Sequence, residues 1–245
     1  MLGKTHQLIA NLALACLPQK ERHILYPRWG GIESGTTLSD EFRIMWEIEE
    51  VGKKEKQLVH RCYVDSDNPK DHGCATQSLD HAEGSLSFIQ DFLNGDLDGA
   101  YNEIEFLEML GMFLGILSHH VADLCTPVHV GHKIDFRKLG FATLSRFHNK
   151  FERDILKYQY KSGLSLPKPH KVVFSKNYFW SIAEHTYQNG FLKLENIYKN
   201  KDEEAIIALS SQIISQSVMH TSNCWHTILT KSGMTDRKWS MMPLI

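Results

Sequence analysis

Apolar residues recur at helical intervals along most of the chain. From Ser78 to Leu93, the residues Leu79, Ala82, Leu86, Ile89 and Leu93 fall on one helical face, and Asn94-Gly95 supplies a stop. A second helix is predicted from Leu97 to Leu124. Between Phe106 and Leu117 it is apolar around most of its circumference, which puts it at the centre of the fold. The same spacing predicts helices over Phe147 to Tyr160, Trp180 to Tyr198 and Glu203 to Lys231. The stretch Ala205 to Thr230 is uncharged, yet half of it is Ser, Gln, Thr, His or Asn, so it reads as a buried helix. Leu8 to Leu17 is an apolar run interrupted by Asn11 and ended by Pro18, which predicts an amphipathic first helix. Between Glu21 and Asp40 the signals Tyr26-Pro27, Gly30-Gly31 and Ser34-Gly35 predict a long loop. Strand-like alternation is confined to Lys171 to Phe174. The expected fold class is all-α, a single compact multi-helix domain over residues 1–245.

Composition narrows the function classes. A chain of 245 residues with 42% hydrophobic content can bury a sizeable core. Its net charge of −2 gives no overall electrostatic footprint for nucleic acid. Five cysteines without a C-x-x-C pair argue against a disulfide framework or a cysteine-based metal site, and predict reduced thiols. No run of 18 apolar residues spans a membrane. The first residues lack the pattern of an export leader, so the expected location is cytoplasmic, with secretion the alternative if a leader precedes this sequence.

The chemistry concentrates between Ser118 and Glu152, which holds five of the fourteen histidines. His119 and Asp123 are four apart at the end of the most apolar helix, so they stack on one face and can grip an ion together. Pro127 breaks that helix and frees His129 to point elsewhere. His148 and Glu152 repeat the four-residue spacing and can join His129 around a second ion. Two geometrically separate sites are expected. Asp40 either caps a helix or ligates a metal, and His60 heads a polar, turn-rich segment. His185, His220 and His226 have no acidic residue at +4 and read as packing or hydrogen-bonding histidines.

The pattern His119-x3-Asp123-x3-Pro127-x-His129, followed by Phe147-His148-Asn-Lys-Phe-Glu152, resembles the zinc-dependent phospholipase C family, which shares its fold with the P1-type single-strand nucleases. The similarity extends to Thr5-His6-Gln-Leu-Ile-Ala, to Gly35-Thr-Thr-Leu-Ser-Asp40 and to His60-Arg-Cys-Tyr-Val-Asp65-Ser-Asp67. It covers residues 1 to about 160. The resemblance implies the phospholipase C / P1 nuclease fold and two to three zinc ions. Asp40, His60, His119 and Asp123 would hold one, His129, His148 and Glu152 a second, and His6 with a bridging Asp123 a third. Asp40 is then the residue that orients or deprotonates the attacking water, and His132 and Asp65 are candidates to support the ligands.

The implied activity is hydrolysis of the glycerol–phosphate bond of a phospholipid or another phosphodiester, with transient contact to a membrane surface. Two alternatives stand beside it: a single-strand nuclease, and a zinc-stabilised binding protein without turnover. Nucleic acid is disfavoured by Glu152, where the nucleases generally carry Asp, and by the charge. The chain departs from the family in three places. Met1 stands five residues before His6 where the family has an N-terminal Trp farther upstream, the first acidic residue is Glu21, and the choline-pocket aromatics are replaced by Glu41 and Gln57. Choline selectivity is therefore not implied.

Overall fold

The computed structural model describes residues 3–38, 62, 64–65, 77–95, 101–131, 133–159 and 166–237, and among them there are helices and no strands. Helix α1 (Gly3–Cys16) buries Ile9, Ala10, Ala13 and Leu14 and ends before Pro18, as the pattern predicts. Helix α2 (Gln19–Leu25) and a tight turn (Tyr26–Arg28) lead into α3 (29–38). The long loop expected over Glu21 to Asp40 is thus helical as far as residue 38.

The glycines explain the misreading, because they are contact points and do not mark turns. Gly31 and Gly35 of α3 face Gly111 and Gly115 of α5 (Glu103–Leu124), and each pair has the spacing G-x-x-x-G. A Cβ on Gly35 would lie 2.0 Å from the Met112 carbonyl oxygen, and one on Gly115 would lie 2.2 Å from that of Ile32. Without side chains between them the two backbones touch.

Helix α4 (Gln77–Asn94) is closed by Gly95 at φ +80°, a conformation that favours glycine. Helix α5 starts later than Leu97 because Asn102 caps it: its side chain accepts from the Ile104 and Glu105 amides, while Glu105 reaches back to the Asn102 amide. As its apolar run requires, α5 is central, packed by α4, α10, α1 and α8. Leu110, Leu114, Leu117 and Leu124 are fully buried along it, each worth about 1.5–3 kcal/mol of transfer free energy. By length and composition α5 could cross a membrane; most of it lies buried inside this bundle.

Pro127 opens a four-residue helix, α6 (Pro127–Val130), so His129 sits on a helical turn and not in a loop. Helix α7 (Leu144–Tyr158) starts three residues before the expected Phe147, because the Thr143 hydroxyl accepts from the Arg146 amide as its cap. The single helix expected from Trp180 to Tyr198 is two, α8 (Lys176–Thr186) and α9 (Leu192–Asn200), joined by a π-helical turn over Tyr187–Phe191. Helix α10 (Glu203–Lys231) matches its expected bounds, capped by Asp202 on the Ala205 amide.

The strand-like stretch Lys171 to Phe174 belongs to an extended segment laid along α10. The Asn223 side chain takes the His170 amide at 2.9 Å and the Thr227 hydroxyl takes that of Val172 at 2.9 Å, in place of a ladder. Trp225 donates to the Leu114 carbonyl at 3.1 Å, and His226 bonds the buried Glu21 at 2.8 Å, which fixes α10 to α5 and α2. His185 and His220 also hydrogen-bond, to Gln216 and Tyr178.

Candidate metal centre

The site begins where apolar α5 turns polar. His119 and Asp123 are fully buried one turn apart, with Nε2 3.3 Å from Oδ2. Nδ1 of His119 donates to the Thr36 carbonyl at 2.8 Å, which leaves Nε2 as the lone-pair nitrogen facing Asp123. That bond exists because the glycine contact brings the end of α3 against α5. Helix α1 delivers His6, whose ring stacks on His119 with centroids 3.9 Å apart and planes 12° apart. Its Nε2 is 3.6 Å from Asp123 Oδ1.

Burial, reinforced by the neighbouring His119, holds the His6 imidazole well below its ordinary value. Burial would raise the Asp123 carboxyl, but His129 and His119 outweigh it and keep it well below the usual range. The cluster therefore presents a neutral His6 imidazole and an ionised Asp123 carboxylate, protonation states that bind a cation.

A second group adjoins the first. His129 lies 2.9 Å, Nε2 to Nε2, from His148 of α7. Glu152 Oε1 is 3.6 Å from His148 Nε2 and 4.0 Å from His129 Nε2. His129 also stands 3.8 Å from Asp123 Oδ1, so the two groups expected to be separate share an edge. His148 is the most open member, with 15% of its side chain accessible against 7% for His129 and at most 4% for the others, so the approach is from the α7 side.

Helix α6 is too short to hold His129 in place by itself, and it is clamped from two sides. On one side the Cys62 and Val64 amides donate to the carbonyls of His129 and Val130 at 2.7 and 2.9 Å, and Asp65 accepts the Lys133 amide at 2.9 Å. On the other side the π-helical turn presses on it. A Cβ on Gly131 would lie 2.6 Å from the Phe191 ring, and one on Gly190 would lie 2.6 Å from Pro127 Cγ. Such turns recur at functional sites. Phe191→Leu is expected to weaken metal uptake by the His129 group about 10-fold while leaving the His6 group unchanged, as metal titration followed by isothermal calorimetry would read.

Six of the eight expected ligands thus converge: His6, His119 and Asp123, and His129, His148 and Glu152, with the donor atoms of each trio within 4.8 Å of one another. Asp40 and His60 lie outside the described residues, as do His132, Met1, Glu41 and Gln57. Asp65 supports the loop after α6 through the Lys133 amide. Thr36 escaped the sequence reading because a backbone carbonyl leaves no trace in residue type. His120 and His81 did too; the His120 ring is 5.4 Å from His119 and 5.1 Å from His81, an arrangement that needs α4 beside α5.

The residues fit a metal. Both ring nitrogens of His6 are buried with no hydrogen-bond partner among the described residues, which is costly unless a cation takes one lone pair. The donors are imidazole nitrogens and carboxylate oxygens, a set that suits zinc. Burial pushes the Cys125 thiol, two residues from Asp123, up to about 12, and Cys125 is not among the residues whose donor atoms converge. No family model matches the chain, and no curated protein matches it.

Proposed function

We propose that the chain is a zinc-dependent phosphodiester hydrolase of phospholipase C type, with the fold of the phospholipase C and P1-type nuclease group. The observation that carries this reading is the convergence of His6, His119 and Asp123 with His129, His148 and Glu152, drawn from four separate helices. Those are the positions at which the sequence resembles that family. An all-helical domain supports the same reading.

His6, His119 and Asp123 would hold one ion and His129, His148 and Glu152 another, with Asp123 placed to serve both groups. Zinc bound there supplies positive charge for the phosphate and makes a water molecule easier to deprotonate. The chain's own contribution is orientation and charge. Thr36 fixes the His119 tautomer. Asp123, held ionised, keeps a negative charge at the floor of the site. His148, the most open ligand, marks the side from which a phosphodiester enters. Asp40 keeps the role given to it with the resemblance, orienting or deprotonating the attacking water. In the net reaction water adds hydroxide to phosphorus, the P–O bond to glycerol breaks, and the departing oxygen gains the proton.

The test pairs metal content of protein purified without added metal with hydrolysis of a soluble short-chain phosphocholine ester, bis-p-nitrophenyl phosphate and single-stranded DNA, before and after chelation. Zinc with chelator-sensitive cleavage of either ester supports the proposal, and the preference between them reads headgroup selectivity. Cleavage of DNA in place of both esters assigns the nuclease activity instead. Zinc without turnover of any of the three assigns the binding-protein reading. Absence of zinc from folded protein overturns the metal centre.

A further inference from the structure

Charge is segregated in this chain, and the basic part adjoins the metal centre. Residues 133–159 carry seven Lys and Arg against three Asp and Glu, a net +4 within a chain of net charge −2, so the remainder carries −6. All seven cations are exposed, whereas two of the three carboxylates, Glu152 and Asp154, are buried.

The cations form two connected features. On α7, Arg146, Lys150, Arg153 and Lys157 follow spacings of four, three and four, which places them in one line along the helix. Phe147, Phe151, Ile155 and Tyr158 turn into the core instead. Before α7, the loop carrying Lys133, Arg137 and Lys138 is a formed structure. The Lys138, Leu139 and Gly140 amides bond back to Asp135, Phe136 and Arg137, and Gly140 takes φ +82°. Leu139 and Phe141 flank that glycine, each partly exposed.

Some of this charge is neutralised locally. Lys138 pairs with Asp135 at 3.5 Å, Lys150 with Asp154, and Lys157 with Glu203 at 3.9 Å. Arg137, Arg146 and Arg153 have no carboxylate partner among the described residues. Among the described residues Arg153 donates to the Asn149 carbonyl of its own helix.

We propose that this face, the line along α7 together with the loop at Gly140, docks the protein on an anionic phospholipid surface. The inference rests on the phospholipid reading of the site and names the surface that presents the substrate. Cations in a line with a partly apolar tip beside them match anionic headgroups over a shallow acyl boundary. A single-stranded nucleic acid would need aromatic plates for its bases, and the Phe141 ring is instead packed edge-on against Phe147 at 5.2 Å. The line shares α7 with His148 and Glu152, which lie on the opposite side of that helix. A bilayer held against it lies within about one helix diameter, ~10 Å, of the metal ligands.

The experiment uses the full chain stripped of metal by chelation, so that binding is read without hydrolysis. Protein is co-sedimented with vesicles of phosphatidylcholine alone and of phosphatidylcholine with phosphatidylserine, at low and high salt. Binding is expected only to the serine-containing vesicles and should fall with salt. Arg146→Ser combined with Arg153→Ser is expected to weaken it by about 30-fold. Turnover of the soluble ester, measured without vesicles, should be unchanged in that variant. Arg137→Ser with Lys138→Ser, on the loop, provides an independent second pair. Equal binding to both vesicle types, or anionic binding that neither pair weakens, overturns the docking face. So does variant-sensitive binding of a single-stranded oligonucleotide in place of vesicles. Because the vesicle assay needs no metal and the ester assay no vesicle, loss of the docking proposal and loss of the hydrolase proposal give different results.

Discussion

Gly115→Ala is expected to destabilise the protein by about 3 kcal/mol, at the top of the usual overpacking range. The new methyl would meet the Ile32 carbonyl oxygen at 2.2 Å, the Gly35 Cα at 2.9 Å and the Thr36 amide nitrogen at 3.0 Å. All three are backbone atoms, so no rotamer change can relieve the clash, and α3 must move away from α5. Gly35→Ala is expected to act the same way from the other side, against the Met112 carbonyl. The site is affected next, because displacing α3 takes the Thr36 carbonyl from His119 Nδ1, and the freed imidazole no longer has one enforced tautomer. Denaturant unfolding read beside metal affinity checks both parts. Gly84→Ala is the control: nothing lies within 4 Å of its added Cβ, on an exposed turn of α4, so the variant should be stabilised by about 0.5–1 kcal/mol. A Gly115→Ala variant as stable as the parent would show that α3 and α5 do not depend on their close approach.

Asp123→Asn should have the largest effect on metal. One oxygen of this carboxylate lies 3.3 Å from His119 Nε2, and the other lies 3.6 and 3.8 Å from His6 and His129 Nε2, so it faces both groups. Asparagine keeps the shape and removes the charge. Affinity at the His6–His119 group is expected to fall by at least about 100-fold, with a smaller loss at the His129 group. His148→Ala, by contrast, should spare the first group. Elemental analysis after equilibrium dialysis distinguishes the two patterns.

Acidification should act in the same direction. The folded protein holds His6 neutral where the unfolded chain takes a proton below about pH 6.5, and holds Asp123 ionised where the unfolded chain takes one near pH 4. Both groups bind fewer protons in the folded state, so stability falls as pH falls, first through the histidine range and then through the carboxylate range. The melting temperature of metal-free protein should therefore decline steadily from pH 7 to pH 4. A melting temperature that rises on acidification would contradict this account of the cluster.

The candidate ligand pairs were legible in the sequence because each pair is local. His119 with Asp123, and His148 with Glu152, each depend only on the 3.6-residue period of a helix, and α5 and α7 supply it. The buried helices α5 and α10 were legible for a related reason, since an apolar circumference or a long uncharged run has few other places to go. The stretch from Glu21 to residue 38 was misread because glycine has two uses that look alike in sequence. It permits a turn, and it permits two backbones to touch. Gly31 and Gly35 do the second, and only their distance to Gly111 and Gly115, eighty residues away, distinguishes the cases.

By itself, then, the order of residues determined the all-helical class, the central place of α5, and which side chains stand one turn apart on a helix. Three further arrangements were decided by the tertiary structure alone. His6 stacks on His119, the Thr36 carbonyl of α3 meets His119 Nδ1 of α5, and α6 is held between the backbone at Cys62–Val64 and the π-helical turn. Each depends on how closely separate elements approach. That distance is set by the side chains missing between them as much as by those present, and no local pattern in a sequence records it.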